Sequence, residues 1–183
     1  DSDMTFHPKS LLRLLYRLHP EVRLGVPFGA QIDMVGALAF TRSMPPVPSI
    51  FRGVARVDED GHEYLRIQVD ETYEWLAKYP AARECPAVLP GIPLDSLVRA
   101  DATGCAFVLI PRYVFEAIPE PWFVRDGLKR GEDLDFFAKA RAAGFKLWVD
   151  RSVVVGHQNT NHVIGPREFV AYQSICSTGE VVT

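Results

Sequence analysis

The sequence has little cysteine and no long apolar run. Its three cysteines, Cys85, Cys105 and Cys176, are widely spaced without a CxxC pair, so neither a disulfide framework nor a cysteine-based zinc site is favoured. No stretch approaches the roughly 18 consecutive apolar residues of a membrane-spanning helix, and the first residues lack the charged and apolar regions of a signal peptide. We therefore expect a cytoplasmic protein, with peripheral attachment to a membrane as the alternative location.

The sequence also lacks an excess of one charge. It has 20 Lys and Arg against 23 Asp and Glu, a net charge of −3, and these charges form no long runs. A protein that binds duplex nucleic acid usually carries a basic stripe or patch. The composition therefore argues against duplex nucleic acid as a partner.

What is present is the composition of a globular protein, with 183 residues of which 48% are hydrophobic and 23% charged. We expect a single domain over residues 1–183. Leucines at helical spacing before Pro20 predict a first helix, with Thr5 or Ser10 as its cap. The stretches LGVPFG and DMVGALAFTR predict strands, and the DG pair in VARVDEDGHEYLRIQV predicts a tight hairpin between two further strands.

The second half of the sequence continues this alternation. ETYEWLAKY predicts a short helix, and a proline-rich loop follows from Pro80 to Pro93. RADATGCAFVLIP predicts one buried strand with Gly104 inside it, and RYVFEAI a short helix. GEDLDFFAKARAAGF has acids in its first turn, bases near its end and Gly144 at its stop, which predicts a well-specified helix. KLWVDRSVVVGH predicts one or two strands, so the whole pattern indicates an α/β fold with an inserted β-hairpin.

Two carboxylates stand at the start of the sequence, in DSDM. Asp1 and Asp3 are two residues apart, so on an extended backbone both side chains face one way and could share a divalent cation. A solvated turn explains so short a pattern equally simply. The pair alone does not decide between these two interpretations.

Two further sites carry groups with possible chemistry. Glu132, Asp133 and Asp135 crowd the start of a predicted helix, where the helix N-terminus stabilises acids, but where a carboxylate beside a cleft could also act as a general base. His157 follows SVVVG and so lies just past a buried strand end, where ligands gather in α/β sheets. Its imidazole could complete a metal site or simply hydrogen bond to its neighbours.

Taken in order, DSDM, TGCAFVLIPRYVFEAI and GEDLDFFAKARAAGFKLWVDRSVVVGH resemble the glycosyltransferases of the GT-A fold, especially family two and its relatives. The resemblance covers the chain from Asp1 to about His157 and is strongest from Ala102 onward. It implies a GT-A-like, Rossmann-related mixed sheet flanked by helices. It also implies a metal-dependent, hexosyltransferase-like enzyme that moves a sugar from a nucleoside-diphosphate sugar to an acceptor hydroxyl, with inversion favoured over retention.

The resemblance assigns metal and donor roles to particular residues. Asp1 would lie toward the ribose or the sugar, Asp3 would contact Mn²⁺ or Mg²⁺, and His157 would be a further metal ligand. Gly104 and Cys105 match the segment that lines the donor sugar and acceptor pocket.

It also assigns residues to the reaction with the acceptor, which could be a glycan, a lipid or a small molecule. Asp133 would be the base that deprotonates the acceptor hydroxyl, and Glu132 would support it or bind the acceptor. Trp122 could stack on a sugar face, although packing against the core explains this tryptophan equally well.

The resemblance has departures that shape our expectations. Relatives place nucleotide-binding βα units, on the order of a hundred residues, before the DxD motif, so we expect this chain to be the C-terminal part of such a domain. Residues 43–95 match loosely and would be an insertion that shapes acceptor choice, and residues 158–183 would form a C-terminal tail. An inactive glycan-binding or assembly module of the same fold and a nucleotidyltransferase are the alternative functions.

Overall fold

The computed structural model describes residues 3–19, 26, 29–59, 61, 63–91, 93–124, 131–159 and 162–178. Within them the chain forms five α-helices and eleven β-strands, so it is a mixed α/β protein, as the sequence predicts. The helices are α1 (Ser10–Leu18), α2 (Val69–Lys78), α3 (Arg112–Ala117), α4 (Glu132–Ala142) and α5 (Pro166–Thr178). The strands are β1 (Met4–Thr5), β2 (Met34–Leu38), β3 (Ile50–Val57), β4 (Glu63–Ile67), β5 (Ala87–Val88), β6 (Leu97–Ala100), β7 (Ala102–Thr103), β8 (Val108–Leu109), β9 (Leu147–Val154), β10 (Gly156–Asn159) and β11 (His162–Ile164). No helix among these residues combines the length and the apolar character needed to cross a bilayer.

The central sheet has the order β5-β9-β2-β8. Strands β2 and β9 run parallel, whereas β5, β6 and β8 pair antiparallel with their neighbours. Strands β6 and β5 follow each other along β9, opposite Leu147–Asp150 and Val153–Val154 respectively. The parallel pair is buried on both faces, which explains its nearly continuous apolar sequence.

Alternate residues of β2 supply the two apolar clusters of the core, because successive side chains of a strand point to opposite faces. Met34 and Leu38 pack on one face with aromatic side chains of α2, α4 and α5, including Trp75 and Phe136. Residues on the opposite face contact Leu14 of α1. Helices therefore cover the central sheet on both sides.

Two smaller three-stranded sheets extend from this core. The hairpin of β3 and β4 adds β7, and its turn contains Gly61 at a φ of +83°, so the predicted hairpin is confirmed. Strand β10 lies between β1 and β11. The last part of the chain thus contains a strand pair and helix α5, and Phe169 of that helix is buried in the core.

Three local predictions were wrong. The segment 99–111 is not one strand: parts of it belong to β6, β7 and β8, because β6 pairs with β9, β7 with β3, and β8 with β2. Gly104 therefore follows β7 rather than lying inside a strand. The loop after α2 contains a 3₁₀ turn, Pro80–Arg83, as well as β5.

The cap predicted for the first helix was also wrong. Lys9 takes the capping position of α1 without a side-chain hydrogen bond to the described helix residues, and Ser10 is the first helical residue. Helices α1 to α4 are otherwise confirmed near their predicted positions. Most of the predicted strand LGVPFG lies outside the described residues.

Candidate functional site

Helix α4 places its acidic first turn at the carboxyl end of the central sheet. Helix α4 ends shortly before β9 begins, so the C-terminus of the helix lies near the start of that strand. The first turn of the helix therefore lies near the carboxyl end of the strand. In α/β sheets, ligands bind in the crevice outside the carboxyl ends of the strands. Glu132 and Asp133 open the helix there, whereas Asp135 forms an i,i+4 ion pair with Lys139 at 2.7 Å.

Gly104 and Cys105 face this first turn. A Cβ added to Gly104 would lie 3.7 Å from Asp133 Oδ2 and 3.5 Å from Ser49 Oγ. Gly104 and Asp133 are thus close in space although 29 positions separate them. The structure adds Ser49, which nothing in the sequence singled out.

The Asp133 carboxylate is held by its own helix. Its Oδ1 accepts a hydrogen bond from the Leu134 backbone N–H at 2.8 Å. A Cβ at Gly131 would lie only 2.7 Å from the same oxygen, so any side chain there would push the carboxylate aside. The other oxygen, Oδ2, is the one that faces Gly104. Asp133 is therefore positioned by Gly131 and by the helix start, with one oxygen directed at the loop after β7.

The pKa of the Cys105 thiol shows that the electrostatic field at this site is negative. Burial, together with the smaller effect of the negative charges of Asp133 and Glu132, raises the pKa of its thiol to about 12. A thiol so far from ionisation is a poor nucleophile at neutral pH. The local field is negative, so Cys105 contributes shape rather than covalent chemistry.

Asp3 and His157 form a second group at the same end of the sheet. Strand β1 pairs antiparallel with β10, with Met4 opposite His157. The Asp3 carbonyl accepts a hydrogen bond from the Gln158 N–H at 2.6 Å. Asp3, which directly precedes β1, and His157 of β10 are therefore close in space although 154 positions separate them.

The orientation of His157 is set by a backbone carbonyl. Its Nδ1 hydrogen bonds to the carbonyl oxygen of Phe40, just beyond the carboxyl end of β2. A carbonyl can only accept, so Nδ1 carries the proton, and in the neutral form of the ring the lone pair is on Nε2. Histidines that bind metals commonly donate their other ring N–H in this way. His157 thus has the tautomer that a metal ligand needs.

Asp3 has a cationic partner, Arg42, which the sequence did not reveal. The Arg42 guanidinium donates to the Asp3 carboxylate and holds the pKa of that carboxyl below its usual value, with a smaller contribution from the charge of His157. Asp3 is therefore ionised at neutral pH. Its carboxylate is available to a cation to the extent that Arg42 can be displaced.

The turn formed by residues 39–49 connects the two groups. The Ser49 N–H donates to the Ala39 carbonyl at 2.9 Å, and Phe40 pairs with Pro48. One side of this turn meets Gly104, and the other holds His157. Adjacent strands lie about 5 Å apart, so the turn brings the acidic helix start and the Asp3–His157 pair to one edge of the molecule.

Two of the three predicted metal ligands, Asp3 and His157, lie among the described residues. Asp3 offers a carboxylate and His157 a nitrogen lone pair, a donor set that suits Mn²⁺ or Mg²⁺ with further oxygen ligands. Asp1 lies outside the described residues. Among those described, no cluster of three His, Cys, Asp or Glu side chains is in place to hold a metal ion. Asp3 and His157 would therefore need Asp1 as a third protein ligand to hold the cation.

Trp122 packs into the core of the protein. Its indole N–H donates to the Phe115 carbonyl at 3.1 Å, and the two rings meet edge to face with centroids 5.1 Å apart. These contacts account for the indole N–H and for one side of the ring. The role of Trp122 in binding an acceptor stays a prediction.

A mostly apolar cavity of about 160 Å³ lies beside α4. The hairpin of β3 and β4 forms one wall and helix α4 the other, and an ion pair between Arg141 and Glu63 joins them. Leu134, the residue after Asp133, lines this cavity. The β3–β4 hairpin therefore shapes a recess next to the acidic helix start.

Comparisons with known proteins give little further information. No protein-family model and no curated protein matches the chain. A solved structure of a viral protein, described as "Crystal Structure of A197 from STIV", matches with 14% sequence identity and a TM-score of 0.49. The match covers 92% of this chain and 60% of that chain. A likeness at this level assigns neither a family nor an activity.

Proposed function

We propose that this chain carries the acceptor-side and metal-binding residues of a GT-A glycosyltransferase that uses a nucleoside-diphosphate sugar. One observation carries the proposal. The acidic start of α4 faces Gly104, and the Asp3–His157 pair lies across the 39–49 turn at the same sheet edge. This is the set of residues on which the resemblance to family-two enzymes depends.

In the proposed reaction Asp133 is the general base. Its Oδ1 is held by the Leu134 N–H, so Oδ2 is the oxygen that would take the proton of the acceptor hydroxyl. Removing that proton makes the hydroxyl oxygen a stronger nucleophile toward the anomeric carbon. Attack from the side opposite the departing diphosphate inverts the configuration.

Glu132 and the loop after β7 complete the acceptor side. Glu132 adjoins the base and adds to the negative field that acts on Cys105. The absence of a side chain at Gly104 leaves room in front of Asp133 Oδ2 for the reacting groups.

On the donor side, Asp3 and His157 Nε2 would hold a divalent cation together with Asp1. Such an ion neutralises the charge that a diphosphate gains as it leaves. Arg42 contacts Oδ2 of Asp3, so the cation would bind Oδ1 or displace the guanidinium from Oδ2. In either case the guanidinium would lie near the diphosphate, to which it can donate hydrogen bonds.

The experiment is thermal unfolding of the full-length protein with nucleoside diphosphates and MnCl₂. We expect stabilisation that needs both components, because a ligand that binds the native state alone adds about 2.7 kcal/mol at a hundred times its Kd. His157→Gln should reduce the effect, and the exposed His162→Gln is the matched control. Absence of any shift with wild-type protein would reject donor binding.

The Arg42–Asp3 ion pair also favours a second candidate, an inactive glycan-binding module of the same fold. In that case Arg42 would replace the metal permanently. Binding of sugars without any response to nucleoside diphosphate and Mn²⁺ would support this alternative. Release of pyrophosphate instead of nucleoside diphosphate would indicate a nucleotidyltransferase.

A further inference from the structure

A cavity of about 210 Å³ lies at the base of the β3–β4 hairpin, where the first turn of α2 approaches β6 and the end of β9. It shares no lining residue with the two groups described above. Its described lining residues are Ile50, Arg52, Gln68, Glu71, Thr72, Val98, Arg99 and Arg151. Three of them are arginines and one is a carboxylate. The cavity is therefore strongly basic in a protein whose net charge is −3.

Arg151 is the buried member of this set. Its side chain is only 8% exposed, yet its Nε has no hydrogen-bond partner among the described residues. The two terminal nitrogens donate to backbone carbonyls of Glu71 at 3.1 Å and Asp95 at 2.6 Å. Burial lowers the pKa of Arg151 to about 10, so it is still charged at neutral pH. A buried cation with an unpaired N–H is costly unless a partner reaches it.

Arg52 and Arg99 lie nearer the solvent and have no carboxylate partner among the described residues. Arg99 makes one long hydrogen bond, from Nε to the Ala100 carbonyl at 3.4 Å. Arg52 is exposed. The terminal nitrogens of both side chains make no hydrogen bond to the described residues. Both guanidinium groups can therefore bind an anion in the bidentate geometry that arginine favours.

The start of α2 adds a further attraction for negative charge. Gln68 holds the capping position, but its side-chain amide donates to the carbonyls of Arg52 and Arg66 instead of capping the helix. The first-turn N–H groups of α2 therefore receive no side-chain cap from Gln68. Helix N-termini bind phosphate and other anions through such groups and the helix dipole. Asp70 and Glu71, both in this first turn, oppose this effect with two negative charges.

We propose that this cavity binds the phosphate group of a small ligand, held by Arg52, Arg99 and Arg151 at the N-terminus of α2. The inference does not rest on the proposed function, because Asp3, Asp133 and His157 take no part in it. A phosphate supplies acceptor oxygens to several donors at once. Free phosphate and a phosphate ester are the two sources of such a group.

Titration with inorganic phosphate at constant ionic strength, followed by thermal unfolding and by arginine Nε–H signals in NMR, tests this inference. We expect a saturable rise in unfolding temperature and a shift of the Arg151 signal. Arg52→Gln or Arg99→Gln should raise the phosphate Kd about tenfold or more. The control, Arg66→Gln, removes an exposed arginine of β4 outside the cavity and should leave Kd unchanged.

Two results would overturn the inference: no saturable response to phosphate beyond that to chloride, or the same Kd in wild type, Arg52→Gln and Arg99→Gln. Arg151 also holds two backbone carbonyls, so the two outer arginines carry the test. A parallel titration with glycerol phosphate separates the sources. Tighter binding than inorganic phosphate assigns the site to a phosphate ester, and equal or weaker binding assigns it to free phosphate.

Discussion

At the scale of single residues, Gly156 shows why a glycine precedes the candidate metal ligand. A Cβ at this position would lie 2.2 Å from Val163 Cγ1, 2.6 Å from Cys85 Sγ and 3.0 Å from Thr5 Oγ1. The space beside the Gly156 Cα is therefore filled by side chains of β1 and β11 and by the Cys85 thiol. Packing excludes a side chain at the residue that precedes His157.

We predict that Gly156→Ala destabilises the protein by about 1–3 kcal/mol or more, the usual cost of overpacking. Gly104→Ala is the matched control, because its Cβ would meet neighbours at ordinary distances of 3.5 Å and beyond. Urea unfolding of both variants measures the difference. Equal stability of the two would mean that β10 moves freely away from its neighbours.

Asp133 is the residue on which the proposed chemistry depends. Asp133→Asn keeps the side-chain shape and the acceptor for the Leu134 N–H, but it cannot take a proton. We predict a fall in turnover of about a hundredfold or more, the range for loss of a general base, with nucleotide and metal binding nearly unchanged. Assays of turnover and of Mn²⁺ binding check this, with Asp135→Asn as control. Normal turnover would rule out Asp133 as the base.

At the scale of elements, helix α1 is attached to the central sheet through a buried ion pair. Arg17 and Asp150 are 1% and 0% exposed, and Arg17 Nε lies 2.6 Å from Asp150 Oδ2. Arg17 also donates to Ser96 Oγ at 2.7 Å, and Asp150 Oδ1 accepts from the N–H and the hydroxyl of Ser152. The pair joins a helix, a sheet strand and the segment before β6.

Removing one partner should therefore leave an uncompensated buried charge. We predict that Arg17→Met lowers the free energy of unfolding by about 3–5 kcal/mol, measured by urea denaturation. Arg112→Met, which breaks the exposed pair with Glu116, should change it little. Adding Asp150→Asn to Arg17→Met should recover part of the loss, because the buried charge is gone. No recovery would indicate that packing of the Arg17 stem dominates.

At the scale of the whole molecule, the three cysteines differ in how the fold encloses them. Burial raises the pKa values of Cys85 and Cys105 to about 12, from 9.0 without the fold, whereas Cys176 is exposed on α5. The thiolate is the reactive form. At pH 8, such pKa values leave about a thousandfold less thiolate than a pKa of 9.0 would.

We predict that iodoacetamide at pH 8 modifies Cys176 alone in the native protein and all three cysteines in urea. Mass spectrometry of the native and unfolded samples checks this. Raising the pH toward 12 should increase modification of Cys85 and Cys105, since ionisation increases. Rapid modification of Cys105 at pH 8 would show that the pocket beside Asp133 is more open than described.

The fold was predictable where a local pattern decides it. Gly61 at positive φ marks the hairpin, and the acids and Gly144 mark the two ends of α4. The segment 99–111 was not predictable in this way, because its three short strands pair with different partners. Strand identity there depends on hydrogen bonds to residues far away in the sequence.

The same distinction applies to the candidate site. The resemblance grouped Gly104 with Asp133 and Asp3 with His157, and the structure places the members of each pair together. It could not show Arg42 beside Asp3, because the 39–49 turn carries no recognisable pattern. Nor could it show the three arginines of the basic cavity, which come from β3, β6 and β9.

The sequence by itself determined helices α1 to α4 and the β3–β4 hairpin, because the spacing of apolar residues and the turn residues act over a few neighbouring positions. Only the tertiary structure decided which residues from distant parts of the sequence contact each other. The hydrogen bond that orients His157 reaches Phe40 across 117 positions, and the bond from Arg17 reaches Asp150 across 133. Such contacts exist because burying both faces of β2 and β9 brings distant segments together, and no local pattern encodes them.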